Sequence, residues 1–196
     1  MVNAFHGASN LDVTATDTPD LSSVSNLSYM FAGASSLVGN ASFAAWDTSH
    51  ATNIRNIFFG AALFNQPVNS WNVSRVTNMR SVFNGARSFN QPLNNWNVSK
   101  VQDMAYMFRS ATAFNQPLNT WDVSSVTEMQ YMFESASTFN QPLYLWDTAR
   151  VTTMTHMFNE ASAFNRPINS WNTSNVTDMS YMFRNASLFN QPLHSW

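Results

Sequence analysis

The seven tryptophans decide what this chain can fold into. Trp46, Trp71, Trp96, Trp121, Trp146, Trp171 and Trp196 each stand 25 residues after the last. Other columns keep that register. Phe64, Phe89, Phe114, Phe139, Phe164 and Phe189 form one, each followed by Asn. Pro67, Pro92, Pro117, Pro142, Pro167 and Pro192 form a second, and Phe58, Phe83, Phe108, Phe133, Phe158 and Phe183 a third. A fixed period of about 20–50 residues marks a stacked repeat array, in which one unit cannot bury its apolar face alone. Only 10% of the 196 residues are charged, against about 25% in ordinary soluble proteins. With 44% hydrophobic residues the chain has ample surface to bury and is not disordered by composition.

The copy from Phe114 to Ala136 shows the unit. Leu118, Trp121 and Val123 follow an L-x-x-L-x-L apolar spacing, that of the strand segment in leucine-rich repeats. On a strand, Trp121 and Val123 face one side, and Thr120, Asp122 and Ser124 the other. The period then changes. Val126, Met129, Met132, Phe133, Ala136 and Phe139 lie at helical spacing, with Ser124 or Ser125 placed as N-cap and Pro117 stopping the helix before the strand. The expected fold class is therefore an α/β repeat solenoid. It is a leucine-rich-repeat-like, right-handed coil with a parallel β-sheet on one side and short helices on the other, the hand following the usual preference of parallel crossovers. Trp71, Trp96, Trp121, Trp146 and Trp171 belong to its continuous core. The Asn after each column Phe is expected to hydrogen-bond loop backbone within and between coils.

Residues 21–196 form one array, its first copy atypical (Leu37-Val-Gly-Asn-Ala-Ser-Phe43 in place of F-N-Q-P) and its last incomplete. Residues 1–20 fit no repeat and are expected to be a cap or leader. The chain stops at Trp196 inside a predicted strand; the expectation is either a fragment of a longer protein or, with Trp196 as candidate stacking end, an edge that pairs with a partner.

The segments Phe89-Asn-Gln-Pro-Leu-Asn-Asn-Trp-Asn-Val-Ser99 and Val176-Thr-Asp-Met-Ser-Tyr-Met-Phe183 resemble the repeat of BspA-like surface proteins, and the match covers about residues 21–196. The resemblance implies a leucine-rich-repeat-like solenoid displayed outside the cell. It also implies adhesion to proteins or glycans, without enzymatic activity in the repeat.

The residues show no catalytic constellation. There is no Cys, and His6, His50, His156 and His194 neither repeat nor pair at metal-ligand spacing. No cofactor is expected. A net charge of −2 argues against nucleic acid, and no apolar run reaches the length of a membrane span. Nor does the start of the chain have the form of a signal peptide. The candidate binding face lies outward from the predicted sheet: Asp47, Asn72, Asn97, Asp122, Asp147 and Asn172, flanked by Thr120 and Ser124 and their counterparts. Its Asp and Asn alternate, whereas calcium needs 6–8 converging oxygens. A second exposed column is Tyr29, Ser81, Tyr106, Tyr131, His156 and Tyr181. Sequons such as Asn72-Val-Ser74 and Asn97-Val-Ser99 would block the first face if glycosylated. The expected function is an extracellular binding or adhesion module with a protein or glycan partner; the alternative is a subunit stacking end to end into a filament.

Overall fold

The computed structural model describes residues Met1–Trp196 as a stack of 25-residue coils, each bonded to the next by its backbone. Its one helical element is a 3-10 turn at Ala41–Ala45. There is no β-sheet. Neighbouring coils share isolated parallel bridges in a single line: Asn26, Asn53, Asn78, Asp103, Glu128, Thr153 and Asp178. The expected α/β, leucine-rich-repeat-like coil with sheet and helices is thereby corrected.

The physical reason lies in how the backbone polar groups are satisfied. Every buried N–H and C=O needs a partner, and helices and sheets are only the commonest ways to supply one. Here the two ways alternate along residues 129–136. Met129, Tyr131, Phe133 and Ser135 donate their N–H groups to Thr153, Thr155, Met157 and Asn159 of the next coil, at 3.4, 2.9, 2.9 and 2.8 Å. Between them, Met132, Glu134 and Ala136 donate within the coil to Met129, Tyr131 and Phe133, at 3.2, 3.2 and 3.0 Å. Consecutive tight turns thus place an inward residue every three or four positions. A helix would give the same spacing, which is why the apolar pattern at Val126–Phe139 could not separate the two.

The backbone dihedrals make the difference. Tyr131 has φ +60° and Ser135 φ +55°. The equivalent Tyr106 and Ser110 have φ +61° and +55°. Left-handed backbone costs a non-glycine residue about 1–2 kcal/mol. These residues hold it because Tyr131 and Ser135 donate to the next coil as Tyr106 and Ser110 do.

The predicted strand at Leu118–Ser124 is likewise a turn, closed by Trp121 N–H on Leu118 O at 3.1 Å. Burial alternates as on a strand: Trp121 and Val123 are buried, and Asp122 is exposed. Yet this side makes no backbone ladder between coils. Its cross-links are side chains. Trp121 Nε1 donates to Leu93 O at 3.1 Å, and Trp71, Trp96, Trp146 and Trp171 repeat the bond on Phe43, Val68, Leu118 and Leu143. The column Asn residues form a ladder too, each Oδ1 accepting the next Asn N–H, as from Asn90 to Asn115 and Asn115 to Asn140 at 3.0 Å. These Asn are exposed or half-buried rather than buried.

Inside, three aromatic columns run the length of the stack. Phe108 stacks on Phe133 at 5.6 Å, Phe114 on Phe139 at 6.0 Å and Trp96 on Trp121 at 6.5 Å. Within one coil, Phe108 and Phe114 lie 4.0 Å apart, joining two columns. The core is one cluster from Leu21 to Met182.

Residues 1–11, expected to fall outside the array, continue it. Asn3, Phe5 and Gly7 donate to Ser28, Met30 and Ala32, and Phe5 stacks on Phe31 at 5.4 Å. Asn3 and Gly7 share the positive φ of Tyr29 and Gly33. From Leu11 to Asp20 the chain leaves the register and is held by Asp12, whose Oδ1 accepts from Val13, Val38 and Gly39 N–H.

Two consequences can be measured. Far-ultraviolet circular dichroism should lack the paired minima of α-helix; their presence would contradict the turn architecture. Gly7, Gly33, Gly60 and Gly85 occupy one left-handed column that continues as Ser110 and Ser135. Gly85→Val should lower unfolding stability by about 2 kcal/mol, because a β-branched residue is strained at φ +74°. Ser110→Gly should raise it by up to about 1 kcal/mol, both read by denaturant titration.

Candidate functional site

The six residues of the candidate face are all exposed, one per coil. Each builds the same local device. A side-chain oxygen one carbon beyond Cβ reaches the N–H two residues on, closing an Asx turn. Asp47 Oδ1 accepts from Ser49 N–H at 2.9 Å, Asn72 Oδ1 from Ser74 at 3.1 Å, and Asn97 Oδ1 from Ser99 at 3.2 Å. Asp122 Oδ1 accepts from Ser124 at 3.1 Å, Asp147 Oδ1 from Ala149 at 3.0 Å, and Asn172 Oδ1 from Ser174 at 3.0 Å. The Ser124 hydroxyl adds a bond to Asp122 at 2.6 Å. The turns leave Oδ2 of each Asp and Nδ2 of each Asn without a protein partner. No three acidic or His side chains converge to hold a metal ion.

Thr120 is exposed beside this row, in a column with Ser70, Asn95, Leu145 and Ser170. The coils before and after carry Asn119-Thr120 and Asn169-Ser170; between them stand Tyr144 and Leu145, exposed by 50% and 62%. This is an apolar break in an otherwise polar strip. Trp71, Trp96, Trp121, Trp146 and Trp171 lie beneath it, all buried. Trp196 is half-buried, stacked on Trp171 at 6.3 Å, with its indole N–H on Ile168 O at 3.3 Å.

Two features lie in the segment expected to be helix; the first escaped the sequence, and the second is the column expected to be exposed. Along the bridge line, Asn26, Asn53, Asn78, Asp103 and Asp178 make a second row of Asx turns, onto Ser28, Arg55, Arg80, Ala105 and Ser180 N–H. Glu128, with a side chain one carbon longer, and Thr153 interrupt the row. The second feature is the column Tyr106, Tyr131, His156 and Tyr181, half-buried except at Tyr181, with ring centroids 4.6, 4.5 and 4.8 Å apart and only the last pair tilted. Burial, then the neighbouring Tyr106, pushes the Tyr131 hydroxyl above its ordinary pKa. The recurrence of short Asn and Asp at the bridge position was the available signal for the first of these.

Two of these turns hold their carboxylates below the ordinary range. At Asp47 the Ser49 hydroxyl is the main cause and the Ser49 N–H the second; at Asp178 the Ser180 hydroxyl and N–H act alike. A carboxylate whose pKa is depressed by folding contributes stability that is full above the unfolded value and fades as pH falls through the folded one. Stability should therefore decline as pH drops below about 4. Asp47→Asn with Asp178→Asn keeps both turns and should flatten that decline in pH-dependent melting. An unchanged acid limb would show that these turns do not couple to folding.

The sequence matches the family described as "Mycoplasma protein of unknown function, DUF285" over residues 1–120 and again over residues 108–196. No curated protein and no solved structure matches the chain. No helix is long and apolar enough to cross a membrane.

Proposed function

The chain belongs to the DUF285 family, and we propose that it is a non-enzymatic binding and adhesion module displayed at a cell surface, with a protein or glycan as partner. The observation that carries this reading is the strip beside the Trp column. There, one exposed Asp or Asn per coil is held by its own Asx turn above a buried aromatic column. Side chains already fixed before contact lose little freedom on binding, the condition under which an extended polar face gains affinity. The Tyr144–Leu145 break supplies what such a strip otherwise lacks. An exposed aromatic with an aliphatic neighbour is the residue type that anchors interfaces, amphipathic and with few rotors. The resemblance to BspA-like surface repeats supports the same reading.

Tyr144→Asn with Leu145→Ser restores the dipeptide that Asn169-Ser170 carries in the next coil, and it touches no Asx turn. Its stability should stay within about 0.5 kcal/mol of the parent, as for ordinary surface changes. Binding to a panel of immobilised matrix proteins and glycans should fall by about tenfold or more, the loss of one interface anchor. A variant adding Asn95→Lys and Thr120→Lys should abolish it. Undiminished binding by both variants would move the site off this strip.

A further inference from the structure

From Thr48 to Gln102 the chain contains no Asp or Glu, yet it holds Arg55, Arg75, Arg80, Arg87 and Lys100. All 11 acidic residues lie outside this stretch, so a chain with net charge −2 carries a cationic band two coils deep. We infer that this band binds an acidic polysaccharide, a glycan chain bearing carboxylate or sulfate groups, through Arg55, Arg75, Arg80 and Lys100.

The fold does not require the band to be free of acid. At the outer Asx position Asp47, Asp122 and Asp147 occupy other coils, while Asn72 and Asn97 occupy these. At the bridge position the band has Asn53 and Asn78, followed by Asp103 and later Asp178. Asn and Asp close the same turn at similar length: Asn72 at 3.1 Å and Asp122 at 3.1 Å, Asn78 at 3.0 Å and Asp103 at 2.9 Å. Within the band the turn is kept and the charge removed.

The cations are in register. Arg55 and Arg80 share one column and Arg75 and Lys100 another, and the two columns stand five residues apart along the chain, flanking the bridge position of Asn53, Asn78 and Asp103. Equivalent rings of these successive coils lie 5.8 Å apart from Phe58 to Phe83 and 5.7 Å from Phe83 to Phe108. Arg55, Arg75 and Lys100 are exposed and form no ion pair. Arg80 is partly shared, with Nη1 3.2 Å from Asp103 Oδ2. Two guanidiniums are oriented by aromatic rings: Arg55 lies 5.3 Å over Tyr29 and Arg80 5.0 Å over Tyr106. Stacking occupies the face of a guanidinium and leaves its in-plane donors, whose fork matches carboxylate or sulfate oxygens.

The groups between the cations select the polymer. Asn53, Thr77, Asn78 and Gln102 are short amides and hydroxyls suited to sugar hydroxyls. Binding single-stranded nucleic acid instead uses aromatic faces on which bases stack, and here the nearest rings, Tyr29 and Tyr106, are covered by Arg55 and Arg80. The inference gives the binding-module reading a second surface and a ligand class, and it rests on that reading.

The test uses the full chain and heparin and polygalacturonate as probes. The parent should bind both at low salt and release them as salt rises. Arg75→Gln with Lys100→Gln should weaken binding by about tenfold, as two exposed charge contacts allow. Arg150→Gln with Arg184→Gln removes the same charge outside the band and should change binding by less than about twofold. Both doubles should melt with the parent, since none of these side chains supports an Asx turn. Absence of parent binding overturns the inference, as does equal weakening by the two doubles, which would make the effect one of net charge. Tighter binding of a DNA duplex at the same salt would overturn the choice of polymer. The Tyr144→Asn, Leu145→Ser variant should keep full heparin binding, so failure of the band and failure of the Trp-side strip are read separately.

Discussion

The constraint on which the structure depends is the division of backbone hydrogen bonds between the coil and its neighbour. Along residues 129–136, alternate N–H groups close turns within the coil and reach forward to the next one. A coil built of consecutive tight turns has neither a helix nor a sheet of its own to absorb its peptide groups. It can satisfy its buried polar groups only if each serves as half of its neighbour's bonding. One coil alone would leave every forward-pointing donor without a partner, and a buried polar group without one costs about 1–3 kcal/mol. Stability is therefore a property of interfaces between coils, as in other one-dimensional arrays.

The aromatic columns answer the same need on the opposite side. At the Trp corner no backbone ladder joins the coils, and the indole N–H bonds and the Asn ladder replace it. Tryptophan suits that place because it fills the core while carrying one donor at its edge. Leucine would fill part of the volume but could not cross-link, which gives a physical reason for a Trp in every coil.

Surface chemistry is correspondingly confined. The outer positions that close Asx turns are Asp or Asn in every coil from Asp47 to Asn172, so charge changes there without changing shape. Positions between the turns, such as Ser70, Asn95, Thr120, Leu145 and Ser170, close no Asx turn and differ in kind from coil to coil, the Ser70 and Ser170 hydroxyls donating to a carbonyl of the preceding coil. The Tyr144–Leu145 break and the acid-free band are variations of these two sorts on a constant frame.

Much of this was legible in the chain itself. The 25-residue period, the Trp and Phe columns, the exposed Asp/Asn row and its Thr and Ser neighbours all follow from spacing, because a repeat puts equal positions at equal depth. The absence of sheet and helix did not follow. Inward residues at intervals of three and four fit an α-helix and a succession of tight turns equally well, and only the partner of each N–H separates them. The left-handed backbone of Tyr106, Tyr131 and His156 was hidden for a related reason: local sequence disfavours it, and only a bond to the next coil supports it. The sequence by itself determined the period, the core and the outward columns; the tertiary structure decided the backbone path, because along the bridge side of a stacked coil every second N–H takes its partner from a residue 24 positions away.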